Sequence, residues 1–322
     1  MSRKTWLLGV VVTAALTVPL AAPAGAAPGS PAPAGAAAAS SAVQVAGGAD
    51  IDALVAAAVA KPKRANSVNR PIYLVHGYSV DGKGWDCEGY WWRAKAGLRA
   101  GGWKGPIITF GYYANDRNCD VTFKGTRNTS ITRIGEELAN AIYKRDTRYG
   151  RSADIIAHSM GGLVARAALT GTSQGWPYFP RTLYVEDVVT LSTPHGGVPL
   201  IGFCSNNIEQ CFEMRRNSPF LRQMDYYPSP QSSIGTDWTL IGADNDYVVP
   251  AWSAIAMRNV GHMVVFYKNK AIPVNHQSIH KITSGVFKVR YWNYTDKKWH
   301  TVNNGAHPVR TAQNAAYWWY RW

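Results

Sequence analysis

Ser159 is the residue of this sequence whose surroundings most clearly favour chemistry. It lies in Ala157-His158-Ser159-Met160-Gly161, after an apolar segment and before a segment with helical periodicity. A serine between a strand and a helix needs a sharp turn, and small residues two positions to either side let the two backbones approach closely. Ala157 and Gly161 meet that need, although the G-x-S-x-G pattern begins with glycine. The stretch predicts a serine nucleophile, with an ordinary helix N-cap serine as the alternative.

Negative charge that develops on an attacked carbonyl needs hydrogen-bond donors beside the serine. The helix N-terminus offers unpaired N–H groups, which makes the backbone N–H of Met160 one candidate for an oxyanion hole. The loop His76-Gly77-Tyr78 follows the first strand, and the N–H of Tyr78 is the second candidate. We interpret the His76 side chain as a structural hydrogen-bonding group.

A serine hydroxyl becomes an effective nucleophile when a histidine accepts its proton and an acid orients that histidine. The expected chain order is serine, acid, histidine. The loop after the strand at 238–241 offers two acids, Asp244 and Asp246. The acid that does not act is expected to be a turn residue.

Three histidines downstream could serve as the base. His262 comes before the apolar run 263–267 and so opens the last core strand, whereas His276 follows that strand in a loop. His280 lies four residues further on, where a helix is expected. His276 is therefore the preferred base, with His280 and His262 as alternatives. We interpret His158 and His195 as structural or pocket-lining residues.

Short apolar runs alternate with amphipathic segments along the chain, which indicates a mostly parallel sheet with helices on both faces. The runs read as strands lie at 71–75, 106–112, 153–157, 185–191, 238–241 and 263–267. Helical periodicity marks 131–143 and 160–169, which places the predicted nucleophile between a strand and a helix.

Three motifs in order resemble the secreted bacterial lipases of the α/β-hydrolase superfamily. They are Leu74-Val75-His76-Gly77, the nucleophile stretch 157–162, and Leu191-Ser192-Thr193-Pro194-His195-Gly196-Gly197, and the resemblance covers about residues 70–285. It implies the α/β-hydrolase fold and hydrolysis of acyl esters without a cofactor. Asp246, directly before Tyr247-Val248-Val249-Pro250, resembles the lipase acid, and the loop around His276 resembles the lipase histidine loop.

The predicted catalytic domain spans residues 49–285 and begins with a short helix near 49–60. Residues 197–235 form a long excursion without a clear strand, which is interpreted either as a lid or as a structural insertion. Residues 286–322 form an aromatic-rich β tail, in which the alternation over 287–302 predicts a β-hairpin that turns near 295–298. We expect this tail to pack on the catalytic domain, and a surface-binding appendage is the alternative.

The first 26 residues have a basic start, an apolar run and the small-residue site Ala24-Gly25-Ala26, which together predict a secretory signal peptide. Residues 27–48 consist almost entirely of Ala, Pro, Gly and Ser, and they predict a disordered linker because they bury too little apolar area. The expected location is therefore extracellular.

Four cysteines accompany this export signal, so disulfides are expected. Proximity in the sequence favours Cys87 with Cys119 and Cys204 with Cys211, and no C-x-x-C spacing favours a metal site. The net charge of +14 is scattered along the chain without a nucleic-acid motif. We expect a monomer that binds a lipid or other acyl ester, with possible interfacial contact with lipid or cell wall and no nucleic-acid partner.

The leading hypothesis from the sequence is a lipase-like carboxylic ester hydrolase that works through an acyl-enzyme on Ser159. An acyltransferase would use the same three side chains but deliver the acyl group to an alcohol other than water. A binding protein without activity on a hydrolase scaffold would account for the basic charge and the aromatic tail.

Overall fold

The structure is a computed structural model, and it describes residues 60–199 and 207–318. The predicted signal peptide, the linker, all but Ala60 of the expected helix near 49–60, and Cys204 lie outside these residues.

Nine strands of the described chain form one sheet. In chain order they are β1 (Ile72–Val75), β2 (Ile107–Tyr113), β3 (Val121–Gly125), β4 (Ala153–His158), β5 (Val185–Leu191), β6 (Asp237–Ala243), β7 (His262–Phe266), β8 (Val286–Asn293) and β9 (Lys298–Ala306). Their spatial order is β3-β2-β1-β4-β5-β6-β7-β8-β9. The strands from β3 to β7 run parallel, whereas β8 and β9 pair antiparallel.

Helices occupy most of the connections between the strands. They are α1 (Cys87–Ala100), α2 (Ile131–Arg145), α3 (Met160–Ser173), α4 (Glu209–Glu213), α5 (Pro219–Tyr226), α6 (Ala251–Ala254) and α7 (Pro308–Tyr317), with a 3₁₀ turn at Thr147–Tyr149. None of the helices in the described part of the chain is long and apolar enough to cross a membrane.

Alternate residues of β1 enter two separate cores. Tyr73 and Val75 pack with apolar residues of α2 and α3, whereas Ile72 and Leu74 pack with those of α1 and α7. A strand buried on both faces reads as a continuous apolar run, which is why β1 and β4 were predictable. The predicted fold class, an α/β-hydrolase fold with helices on both faces of a mostly parallel sheet, is confirmed.

The predicted aromatic hairpin is present as β8 and β9, joined by a turn at 294–297. β8 pairs with β7, so the hairpin extends the central sheet. The following helix α7, which the sequence reading did not predict, packs against α1 and β5.

The strand β3 and the helix α1 were also not predicted, and neither were the short helices α4, α5 and α6. β3 is a short edge strand whose exposed and half-buried residues alternate. Helix α1 begins at the N-cap Asp86, whose side chain accepts a hydrogen bond from the N–H of Gly89. Its buried residues recur at intervals of one, three or four positions along one face, so the sequence did carry a helical signal there; they are Cys87, Tyr90, Trp91, Ala94 and Leu98.

The described part of the excursion 197–235 contains α4 and α5. Met214, Phe220, Leu221 and Met224 of this region are buried in the core that α3 also enters. The apolar side chains therefore anchor this part of the excursion to the domain, and its function as a lid stays a prediction.

Candidate active site

Ser159 lies between the end of β4 and the start of α3, next to β1, where the strand order of the sheet reverses. Ligands of open α/β sheets bind at such a point, outside the carboxyl ends of the strands. The backbone of Ser159 has φ 55° and ψ −131°, which is rare for a residue with a side chain. This conformation forms the sharp turn that exposes the hydroxyl.

Gly161 and Gly162 let the turn approach its neighbours closely. A Cβ on Gly161 would lie 2.4 Å from the carbonyl oxygen of Val75, and one on Gly162 would lie 2.1 Å from Oγ1 of Thr193. Ala157, where the G-x-S-x-G pattern has its first glycine, is fully buried, so the fold accommodates its methyl group.

The structure brings Ser159, His276 and Asp246 together. The Ser159 Oγ lies 3.0 Å from Nε2 of His276, and Nδ1 of the same ring lies 2.9 Å from Oδ2 of Asp246. All three residues are buried, with at most 8 % of each residue exposed. This arrangement lets the hydroxyl donate to Nε2 while the Nδ1–H donates to the carboxylate, so one ring can accept the serine proton.

Asp246 is held in place by its own loop. Its Oδ1 accepts hydrogen bonds from the N–H of Val248 at 2.9 Å and of Val249 at 2.8 Å, which leaves Oδ2 for His276. Asp244 lies in the same loop but forms two hydrogen bonds with Arg290 on β8, at 2.8 and 2.9 Å.

The alternative histidines lie elsewhere. His262 contacts Asp237 at the opposite end of the sheet, with 3.3 Å between Nε2 and Oδ2. His280 is buried behind the site, where it stacks on Tyr90 and packs against the tilted ring of His158. His195 is also buried, with its Nε2 3.1 Å from Oγ1 of Thr190.

The loop that carries Tyr78 lies against the nucleophile. A Cβ on Gly77 would lie 2.8 Å from the Cβ of Ser159, so only glycine allows this approach. Within the part of the chain that the structure describes, neither the N–H of Tyr78 nor that of Met160 has a hydrogen-bond acceptor. Both groups thus keep the capacity to bind a negatively charged oxygen.

Asp116 supports this loop, although its role was not predicted from the sequence. Its carboxylate lies 2.9 Å from Nε2 of His76 and accepts hydrogen bonds from the N–H groups of Trp85, Tyr112 and Tyr113 at 2.6, 2.6 and 2.8 Å. Burial acts to raise the pKa of Asp116, but the hydrogen bonds outweigh it and hold the pKa below the usual range. An ionised Asp116 thus fixes His76, in the structural role expected for that histidine.

The Cys87–Cys119 disulfide joins the start of α1 to the segment that follows Asp116. Cys211 also takes part in a disulfide, and its predicted partner, Cys204, lies outside the described residues. The Sγ of Cys211 lies 3.3 Å from the hydroxyl of Tyr78, which donates because a disulfide sulfur carries no proton.

A pocket of about 210 Å³ opens at Ser159. Its apolar lining includes Val80, Pro194, Val198, Met214, Val248 and Val249. A larger cleft of about 680 Å³ lies between the hairpin and the amino ends of β6 and β7, away from Ser159. The smaller pocket is the candidate active site because the reactive side chains converge there.

The strand-turn-helix serine, its histidine and the parallel sheet define an α/β domain with a candidate serine-histidine-aspartate site. A family model described as "PGAP1-like alpha/beta domain" matches residues 99–290, which is more than half of the chain. The chain therefore belongs to the family of PGAP1-like alpha/beta domains.

Several solved structures are similar to this chain. Lipase B of Aspergillus fumigatus is 15% identical, with 73% of this chain and 51% of that chain covered at a TM-score of 0.44. Lipase BlEst2 of Bacillus licheniformis in its propeptide form is 15% identical, with 69% and 50% covered at 0.43. A thermophilic esterase of Thermogutta terrifontis is 12% identical, with 66% and 85% covered at 0.40.

The match spans about half the length of the two lipases. At these identities and TM-scores, the similar structures do not indicate what this chain does. A comparison with curated protein sequences found no match.

Proposed function

We propose that this chain is a serine carboxylic ester hydrolase, lipase-like in substrate class, that is exported from the cell. The observation that supports the activity is the continuous hydrogen-bonded set of Ser159, His276 and Asp246 at the mouth of an apolar pocket. The apolar lining favours the acyl part of an ester, such as triacylglycerol or a related lipid. Export rests on the sequence pattern of the first 26 residues.

The proposed acylation half of the reaction uses the hydrogen bonds between these side chains. The Oγ of Ser159 attacks the ester carbonyl carbon while Nε2 of His276 takes the hydroxyl proton. The carbonyl electron pair moves to oxygen, and the N–H groups of Tyr78 and Met160 donate hydrogen bonds to the resulting oxyanion. The C–O bond to the leaving alcohol breaks as the His276 imidazolium returns its proton to that oxygen. The Asp246 carboxylate stabilises the imidazolium through Nδ1–H.

Deacylation repeats these steps with water. Nε2 of His276 takes a proton from the water that attacks the acyl carbon, and the same N–H groups stabilise the second oxyanion. The bond from the acyl carbon to Ser159 Oγ then breaks, and the proton returns to Oγ. The products are an alcohol and a carboxylic acid.

The test is turnover of a graded substrate set. We expect hydrolysis of p-nitrophenyl esters, with a chain-length preference that the series from acetate to palmitate would define, together with tests on emulsified triglyceride and phospholipid. Ser159→Ala should lower kcat by at least about 10⁴-fold. A fluorophosphonate probe should label the wild type and fail to label the variant. Equal turnover by Ser159→Ala and wild type would overturn the proposal.

Product analysis in the presence of competing alcohols separates hydrolysis from acyl transfer. A free carboxylic acid as the main product supports the hydrolase, whereas an ester of the added alcohol as the main product supports an acyltransferase. A wild type that neither turns over any ester nor reacts with the probe would favour a binding protein without activity.

A further inference from the structure

We propose that Tyr90 and His158 are positioning residues that link the loop carrying Tyr78 to the loop carrying His276. The inference rests on the proposed function, and it adds two residues that neither the triad nor the oxyanion hole includes. The observation behind it is a continuous chain of hydrogen bonds that runs through the protein interior from Gly77 to His276.

The chain begins at the loop that precedes Tyr78. The N–H of Gly77 donates to the hydroxyl oxygen of Tyr90 at 3.2 Å, and that hydroxyl contacts Nδ1 of His158. The Nε2 of His158 lies 2.8 Å from the carbonyl oxygen of His276. A carbonyl only accepts, so Nε2 carries the proton and Nδ1 accepts from the Tyr90 hydroxyl. Every donor in the chain therefore has one acceptor.

The state of His158 agrees with this assignment. Burial, followed by the nearby His280 and His276, lowers the pKa of His158 well below its usual range. The ring is thus neutral and carries a single proton. Burial likewise raises the pKa of Tyr90, which keeps its hydroxyl protonated and able to donate.

His280 packs against the rings of Tyr90 and His158 and limits their movement. It stacks on Tyr90 with 4.5 Å between ring centroids and lies 4.2 Å from the ring of His158. Both of its ring nitrogens are buried without a hydrogen-bond partner among the described residues, so it acts by packing. Tyr90 and His158 are 8 % and 2 % exposed, which leaves little room for either ring to change orientation.

His158 directly precedes Ser159, so the turn that exposes the nucleophile also fixes the backbone of its base. Without the link, the carbonyl oxygen of His276 would lose its buried donor, and the His276 loop would be held only by its local hydrogen bonds and by Asp246. A misplacement of about 1 Å at a catalytic group costs about 100-fold in rate. The expected signature is a lower kcat at nearly constant KM, because the apolar side chains that line the acyl pocket are unchanged.

Tyr90→Phe and His158→Leu test the link, and His158→Gln is the conservative variant because its amide can donate to the carbonyl of His276. We expect Tyr90→Phe and His158→Leu to lower kcat on p-nitrophenyl butyrate by roughly 10- to 100-fold. We expect KM to change by less than about 2-fold. His158→Gln should recover most of the loss. Tyr73→Phe is the matched control, since it removes a buried hydroxyl that contacts Asp146 and lies in the other core from Tyr90.

Both Tyr90 and His158 also border the pocket, so a role as pocket wall is the competing explanation. A raised KM at unchanged kcat would overturn the positioning role. The positioning role would also be overturned if His158→Gln had the same kcat as His158→Leu and circular dichroism showed that both variants are folded.

Amide hydrogen exchange at residues 275–279 decides the link without reference to activity. Exchange there should accelerate in Tyr90→Phe and His158→Leu and stay unchanged in Tyr73→Phe. A wild type without esterase activity would overturn the proposed function, yet the exchange result would still stand for or against the link. Unchanged exchange in both variants would overturn it.

Discussion

The two ends of the parallel strands hold similar residue types in opposite circumstances. At the carboxyl ends, Ser159, His276 and Asp246 meet at a pocket that is open to a ligand. At the amino ends, Arg70 is enclosed by acids: its Nη1 lies 3.0 Å from Oδ2 of Asp154, and its Nη2 lies 2.7 Å from Oε2 of Glu186. At the amino ends, the ionisable groups pair with one another and stabilise the fold. At the carboxyl ends, the ionisable groups lie beside a serine hydroxyl that can reach a ligand, so they are available for chemistry.

Arg70 also lies 3.4 Å from Asp187, so one guanidinium contacts three carboxylates. Arg64 supplies a second positive charge at 3.3 Å from Asp187. The carboxylates attract Arg70 strongly enough to raise its pKa against the opposing effect of burial. Loss of a group at this end should therefore destabilise the fold, whereas loss of a group at the other end should stop turnover and leave the fold intact.

Among the variants that test this comparison, the largest effect is expected from Asp246→Asn. The amide can still accept from the N–H groups of Val248 and Val249, but it no longer stabilises the His276 imidazolium. We expect kcat to fall by about 10⁴-fold, with a change in the free energy of unfolding under about 1 kcal/mol. Steady-state kinetics and urea unfolding measure the two quantities.

Asp244→Asn is the matched control because it lies in the same loop and pairs with Arg290. It should retain kcat within a few-fold. Equal losses in the two variants would remove the distinction between the acids.

Arg70→Met should break the other side of the comparison. It leaves the buried Asp154 and Glu186 without their main counter-charge, whereas Asp187 keeps Arg64. Removal of one partner from a buried ionic group costs about 3–5 kcal/mol. Activity per folded molecule should stay at the wild-type level. Arg151→Met is the control, because Arg151 pairs with Asp146 while 58% of its side chain is exposed, and it should cost under about 1 kcal/mol. Similar losses from both variants would contradict the role of burial.

Replacement of both Cys87 and Cys119 with serine tests how the loop around Asp116 depends on its covalent tie. The bridge closes a loop with a sequence separation of 32 residues, and its removal is expected to lower the free energy of unfolding by about 3–4 kcal/mol. Urea unfolding of the double variant and the oxidised wild type measures the loss. A double variant as stable as the wild type would show that the tie contributes little.

The smallest effect is a dependence of stability on pH at the amino ends. Burial raises the pKa of Asp237 to about 7, so the folded protein holds a proton there that the unfolded chain releases near pH 4. Stability from this group is therefore complete below about pH 4 and is lost as the pH rises through about 7. Asp237→Asn removes this loss and should be more stable than wild type at pH 8 by roughly 2 kcal/mol. This free energy is smaller than the shift in pKa alone would give, because the cleft beside Asp237 admits water.

The advantage of Asp237→Asn should shrink as the pH falls toward 4, as measured by thermal unfolding at several pH values. Burial lowers the pKa of His262 to about 4, which opposes the trend, and His262 contacts Asp237. The same comparison in a His262→Gln background therefore isolates the contribution of the Asp237 carboxyl. The pH profile of turnover should be the same in both. If Asp237→Asn were more stable than wild type by the same amount at every pH, the raised pKa of Asp237 would not be the cause.

The parts of the molecule that could be predicted are those whose signal is local. The strands β1 and β4 are short apolar runs, and Ser159 is flanked by the small residues that its turn requires. His276 was identified by its position after a strand. Asp246 was chosen over Asp244 by resemblance to lipases, and the structure gives a physical reason, since Arg290 engages Asp244.

The contacts that could not be predicted join residues distant in the chain. Asp116 and His76 are separated by 40 residues, and Tyr90 and His158 by 68, so no local pattern relates the members of either pair. β3 was missed because an edge strand with one exposed side lacks a continuous apolar run. Helix α7 was missed for a different reason, since an expectation of strand throughout the aromatic tail hid the helical spacing of Val309, Ala312 and Ala316.

The backbone of Ser159 has a consequence for the evolvability of the chain. A residue with a side chain at φ 55° is strained by about 1–3 kcal/mol, whereas glycine adopts such angles freely. Ser159→Gly would thus make the protein more heat-resistant and remove its nucleophile in the same step. A directed-evolution screen for heat resistance alone would enrich glycine at this position, and a screen that also requires turnover would reject it.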